Sequence, residues 1–69
     1  MKAVSGKDMC RILRKRGWVL LRVTGSHHIF GLPGNPAART VVPVHGNQSL
    51  AVGTQRNIMQ AAGLAEDDL

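Results

Sequence analysis

Gly25-Ser26 lies between two runs of strand-forming residues, Trp18-Val19-Leu20-Leu21-Arg22-Val23-Thr24 before it and His27-His28-Ile29-Phe30-Gly31 after it. A two-residue connection with glycine first matches a type II′ turn, whose twist suits two antiparallel strands. No other feature narrows the fold as much, because so short a loop sets the partner of every residue on both arms. Thr24 is expected opposite His27, Val23 opposite His28, Arg22 opposite Ile29 and Leu21 opposite Phe30. Directly opposed residues share a face of the sheet. One face should therefore carry Val19, Leu21, Val23, His28 and Phe30, and the other Trp18, Leu20, Arg22, Thr24, His27 and Ile29. The first set is nearly all apolar, so it is the side expected beneath helices. A slip of one residue would exchange the two sets.

The flanks supply those helices. Ser5 can cap a helix start and Asp8 stands three residues on, where a capping-box acid belongs. Met9, Ile12, Leu13 and Arg16 recur at helical spacing, Arg11, Arg14 and Lys15 fall on the polar side, and Gly17 supplies the stop. The first helix is placed at Ser5 to Arg16. After the hairpin, Leu32-Pro33-Gly34-Asn35-Pro36-Ala37-Ala38 reads as a loop, and Arg39 to His45 as a third strand held to a sheet edge, or ended, by Pro43. Gly46 to Ser49 is a turn and Leu50-Ala51-Val52 an apolar lead-in. The last helix begins at Gly53-Thr54 with Thr54 as cap, takes an apolar face from Ile58, Met59, Ala61 and Ala62, and stops at Gly63. Residues 65–69 are expected to fray. The order helix, three strands, helix gives an α+β fold, with an antiparallel sheet, both helices on one face and the other face open.

Sixty-nine residues suffice for one domain with a thin core. A hydrophobic share of 43% is too high for a disordered chain. No apolar run nears the roughly 20 residues of a membrane span, and Met1 to Asp8 lacks the pattern of a secretory signal, so a soluble cytoplasmic protein is expected. Cys10 has no cysteine to pair with and falls within the helical pattern, as a small buried thiol would. The net charge of +5 points to a polyanionic partner, nucleic acid or an acidic protein. Three of the four acids lie at Glu66, Asp67 and Asp68, which leaves the body of the chain more basic than the total. Lys7, Arg11, Arg14, Lys15, Arg22 and Arg39 are the candidate nucleic-acid contacts.

Strand alternation separates the two adjacent histidines. His28 belongs at the margin of the core, and His27 projects from the open face beside Arg22. Histidine is the side chain best suited to exchange a proton near neutral pH, and a histidine beside an arginine on a basic surface is well placed to meet a phosphodiester. His45 sits at the end of the third strand. Trp18 and Leu20, assigned to the open face, are too apolar to stand free there, so either the sheet twists them under a helix edge or they form a contact patch for a partner.

The ordered set Gly17-Trp18, Gly25-Ser26-His27-His28-Ile29-Phe30, Thr40-Val41-Val42-Pro43-Val44-His45, Leu50, Gly53-Thr54 and Ala62-Gly63-Leu64 resembles the HicA toxin family, over about Ser5 to Leu64. The resemblance implies a double-stranded-RNA-binding-domain-like fold and a ribonuclease that cuts messenger RNA and arrests translation. It implies as partner a HicB antitoxin, usually encoded beside the toxin, in a hetero-oligomer that blocks it. The family's active-site histidine follows the Gly-Ser turn and falls on His27, with Gly25 and Ser26 as turn residues. The chain departs from the family pattern at Ala51-Val52-Gly53-Thr54, where Lys-Pro-Gly-Thr is common, at Gln55, where an apolar residue is usual, and in a loop at 32–38 without lysine.

RNA carries its own nucleophile, the 2′-hydroxyl. Neutral His27 is expected to remove its proton, with Arg22 or Arg39 steadying the phosphate. The group that protonates the leaving oxygen is open among His28, His45, Lys7 and water. No cofactor or metal is expected, since two-metal phosphodiester sites need clustered carboxylates and only Asp8 lies outside the tail. The alternatives are a non-catalytic RNA-binding module, a metal site of His27, His28, His45 and Cys10 whose spacing fits no familiar zinc pattern, and a structural subunit for an acidic partner.

Overall fold

The computed structural model describes residues 1–69. In chain order the protein consists of helix α1 (Gly6–Lys15), strands β1 (Val19–Thr24), β2 (His27–Leu32) and β3 (Asn35–Pro43), helix α2 (Val52–Ala62) and a 3-10 turn at Glu66–Asp68. The strands form an antiparallel sheet in the order β1-β2-β3, as the hairpin requires. Both helices pack against β3, and α1 also touches β1. Between the helices and one face of the sheet lies a core that includes Met9, Leu13, Trp18, Phe30, Val42, Leu50, Ile58 and Met59. No helix is long and apolar enough to cross a membrane.

Local chemistry accounts for the helix ends. Ser5 Oγ accepts from the Asp8 backbone amide at 3.1 Å, the bond that caps α1. The Asp8 carboxylate does not close the capping box. It accepts instead from Arg11 at 2.6 Å, one turn along. Gly17 takes a positive φ of 91°, and the Trp18 amide donates back to the Leu13 carbonyl at 3.0 Å. That reversal ends the helix and turns the indole into the core, 4% exposed. Gly63 ends α2 in the same way, with the Leu64 amide on the Met59 carbonyl.

Two expectations are corrected. The segment 32–38 is no loop: β2 runs through Leu32, Pro33-Gly34 makes a tight turn with Gly34 at φ 81°, and β3 begins at Asn35. Proline followed by glycine at a positive φ is the composition of a type II turn, and the prolines that argued against a strand are tolerated because β3 is an edge. The strand ends at Pro43 and lies at an edge, as that proline led one to expect. Helix α2 starts at Val52, capped by Ala51 without a side-chain bond, so Thr54 stands inside its first turn and is not its cap. Beyond α2 the chain makes the turn Glu66–Asp68. Asp68 pairs with Arg16 at 2.7 Å, and its other oxygen accepts from the Ala65 amide.

Gln55, the polar residue at a position usually apolar, is 1% exposed and satisfied at both ends. Its Oε1 accepts from the Val4 amide at 3.2 Å and its Nε2 donates to the Lys2 carbonyl at 2.6 Å. The buried amide fastens the segment before α1 onto α2, where Val4 fills the core and its carbonyl accepts from the Leu50 amide.

Candidate functional site on the open face of the sheet

Around the Gly25-Ser26 turn the register is the expected one: Thr24 pairs with His27, Val23 with His28 and Arg22 with Ile29. Gly25 has φ 58°, as the first central residue of a II′ turn needs. Farther from the turn the register shifts. Leu20, not Leu21, lies opposite Phe30, and Val19 lies opposite Gly31, with a bulge between Leu20 and Arg22. A bulge puts an extra residue into one strand and exchanges the faces of everything beyond it. Trp18 and Leu20 therefore join the helix side, and Val19 and Leu21 come to the open face, the reverse of the expectation for these four. The exposed partner patch assigned to Trp18 and Leu20 is corrected accordingly: Trp18 is core, and Val19, Leu21 and Val41 are the exposed apolar side chains on the open face, at 42%, 48% and 45%.

The sequence did carry a signal for the bulge, which is Gly31. An isolated glycine inside a strand marks a bulge or a close approach. A Cβ there would lie 2.9 Å from Leu21 Cδ1 and 3.0 Å from Arg39 Nη1, so the bulged leucine and the arginine rest over the bare backbone of Gly31.

The open face now carries Val19, Leu21, Arg22 and Thr24 from β1, His27, Ile29 and Gly31 from β2, and Arg39, Val41 and Pro43 from β3. His27 is exposed on the central strand, between Thr24 and Pro43. Arg22 is its diagonal neighbour, at the roughly 7–8 Å separation of such pairs. Arg39 is not: it pairs with Gly31, four residues along β2 and about 13 Å away at the rise of a strand. Its Nη1 donates to the Ala38 carbonyl at 2.8 Å. No carboxylate lies on any strand, and neither Arg22 nor Arg39 has an ion-pair partner in the chain.

His28 turns to the helix side, half-buried and opposite Val23 and Val42. Its Nδ1 lies 3.3 Å from the Ser26 carbonyl oxygen, a hydrogen bond in the tautomer protonated at Nδ1. The same carbonyl accepts from the Val44 amide at 2.8 Å, which ties the hairpin turn to the end of β3. His45, two residues past Pro43, is exposed at this end of the sheet. The basic residues of α1 stand apart from this group. Arg14 places its guanidinium 5.8 Å from the Phe30 ring centroid, on the helix side of the sheet, and Arg11 is paired with Asp8. Lys7 and Lys15 are exposed on the same helix. No three of the histidines, Cys10 and the carboxylates gather in a group able to hold a metal ion.

What the fold brings together is thus one solvent-facing histidine and one unpaired arginine, beside a glycine-led turn on an acid-free sheet. Such a surface suits a polyanion and presents the His27 imidazole to it, with His45 at the same end of the sheet. No curated protein matches the chain. The family model described as the HicA toxin of bacterial toxin-antitoxin systems matches residues 6–64, from the first residue of α1 to the leucine that ends the α2 reversal. With this order of helices and strands and this match across most of its length, the chain belongs to the HicA toxin family and is a toxin of a toxin–antitoxin system.

Proposed function

We propose that this toxin is a metal-independent endoribonuclease of messenger RNA, with His27 as its proton-transfer group. The observation that carries the reading is the position of His27: exposed on the central strand, diagonal to an unpaired arginine and on a face without carboxylates. Neutral His27 takes the proton of a 2′-hydroxyl, the 2′-oxygen attacks the adjacent phosphorus, and the bond from phosphorus to the 5′-oxygen breaks. The departing oxygen gains a proton. The products are a 2′,3′-cyclic phosphate and a 5′-hydroxyl. Arg22, near enough to share the phosphate, balances the charge that builds on its oxygens. Arg39 serves as a second phosphate contact farther along the strand.

Of the candidates for protonating the leaving oxygen, His28 is disfavoured because its ring lies on the other face and against the Ser26 carbonyl. His45 and water remain, since His45 extends from the strand that pairs with His27. Lys7 and the α1 cations would act only on RNA long enough to reach around the sheet edge. A HicB-like antitoxin in a hetero-oligomer with the toxin would block the reaction by covering His27.

Cleavage of a defined RNA in EDTA, with end-group analysis, tests the chemistry. Products ending in 2′,3′-cyclic phosphate and 5′-hydroxyl are expected, with no cleavage where a single 2′-deoxynucleotide replaces the ribonucleotide at the cut. Cleavage that persists at the deoxy position would refute a 2′-hydroxyl nucleophile. A non-catalytic RNA-binding module would bind both strands and cut neither.

A further inference from the structure

Both edges of the sheet present unpaired backbone, but they differ in kind. The β3 edge is blunted by Pro36 and Pro43 and by an irregular register across Gly31 and Leu32. Prolines and irregularities of this sort are how sheets discourage a further strand. The β1 edge has no proline, no lysine and no acid. All six of its residues are exposed, including Val19, Leu20, Leu21 and Val23 at 37–51%. Its side chains are apolar on both faces, Leu20 and Val23 towards the helix side and Val19 and Leu21 towards the open side. A row of free amides and carbonyls flanked by apolar side chains is the template used when a strand from another chain joins a sheet.

The charge pattern selects the occupant. Arg22 is the one charge on β1, and no carboxylate of the chain lies on the sheet. Asp8 is engaged with Arg11, and Asp68 with Arg16. A second copy would bring another +5 and another Arg22 to the same edge, a like-charge encounter with nothing to offset it. An edge strand bearing alternating apolar residues and a carboxylate within reach of Arg22 complements both features.

We propose that β1 is a docking edge, where an apolar, acid-bearing strand of a partner protein adds to the sheet beside Arg22. The proposal rests on the reading of the chain as a toxin neutralised by a protein partner, and it names the surface through which neutralisation works. The added strand extends the sheet from the side of Arg22 and brings the partner's body to the edge of the His27 face.

The test uses the full chain and the protein encoded beside it, followed by backbone amide exchange with and without that protein. Exchange at the amides of Val19–Thr24 that point away from β2 should slow by at least about tenfold in the complex, as for amides entering a ladder. In Val19→Lys and Val23→Lys the edge gains a lysine at exposed positions, the device natural edges use against pairing. Both variants should melt and cut RNA as the wild type does while binding the partner at least about tenfold more weakly. The proposal is overturned if β1 amides in the complex exchange as fast as in the free chain, if both variants bind unchanged, or if no complex forms. Protection of β1 that appears in the chain alone as its concentration rises would also overturn it, by naming a second copy as the occupant. RNA cleavage is scored separately, so a wild type that never cuts RNA refutes the nuclease reading without touching the exchange result.

Discussion

His27 and His28 are covalent neighbours in different surroundings, and that difference assigns them different consequences on mutation. His28 lies among Val23 and Val42 and bonds the Ser26 carbonyl, so its loss is felt in the fold. His28→Ala should lower the unfolding free energy by about 0.5–1.5 kcal/mol in urea, as for one hydrogen bond and partial burial, and leave cleavage by the folded fraction within a few-fold. Gln55 makes a larger demand. Gln55→Leu keeps the volume but strands the buried Val4 amide, at about 1–3 kcal/mol, and frees the part-buried Lys2 carbonyl at a smaller cost. A urea midpoint unchanged in this variant would mean that the segment before α1 is not held by these bonds. Cys10 supplies a dependence on pH. Burial pushes its thiol up, with the Arg14 charge opposing in part. The folded state therefore disfavours the thiolate, so this contribution to stability is intact below the ordinary thiol range and declines as pH rises from about 8.5 towards the raised value. The same shift predicts a thiol slow to react with a disulfide reagent until the protein is unfolded.

At the scale of elements, two glycines make opposite predictions. A Cβ on Gly6 would overlap the Pro43 carbonyl oxygen and lie 3.1 Å from Val44 Cα, all of it backbone where α1 meets the end of β3. Gly6→Ala should therefore cost about 1–3 kcal/mol of stability, in the range of an overpacked core. A Cβ on Gly31 would press only on the ends of Leu21 and Arg39, which can swing aside towards solvent, and would meet backbone, the Ala38 carbonyl oxygen, at an ordinary 3.4 Å. Gly31→Ala should be several times milder in the same urea titration; equal losses would contradict the assignment of Leu21 and Arg39 to the cover of Gly31. These elements also mark how far the chain could be read from its residues. Caps and stops at Ser5, Gly17 and Gly63 were legible because each depends on one residue and its nearest amides. The pairing of His27 and His28 was legible because it lies next to the turn that sets it. Leu20 and Leu21 were not, since a bulge is decided by how two strands fit side by side, and its only trace was Gly31 on the other strand. Pro36 misled for a related reason: Pro43 had already pointed to an edge strand, but nothing local showed that this strand reaches back through Pro36 to Asn35.

Across the whole molecule, charge is divided between two layers. Arg22 and Arg39 stand with His27 on the open face, while Lys7, Arg11, Arg14 and Lys15 follow α1 on the other side of the sheet. A short single strand of RNA on the open face should meet the first group alone. Its binding constant should fall with salt, and Arg22→Ala should reduce the slope of log K against log salt by about 0.7, the value for one phosphate contact on a single strand. Lys15→Ala should leave that slope unchanged on a short RNA. The central claim is that His27, and not its neighbour, carries the chemistry. The most direct measurement compares purified wild type, His27→Ala and His28→Ala on one long RNA in EDTA, each shown to be folded by its melting curve. The account predicts a loss of about 10²–10⁴-fold in rate for His27→Ala, the usual worth of a positioned acid–base group, and near wild-type cleavage for His28→Ala. A folded His27→Ala protein that cuts at the wild-type rate would contradict it.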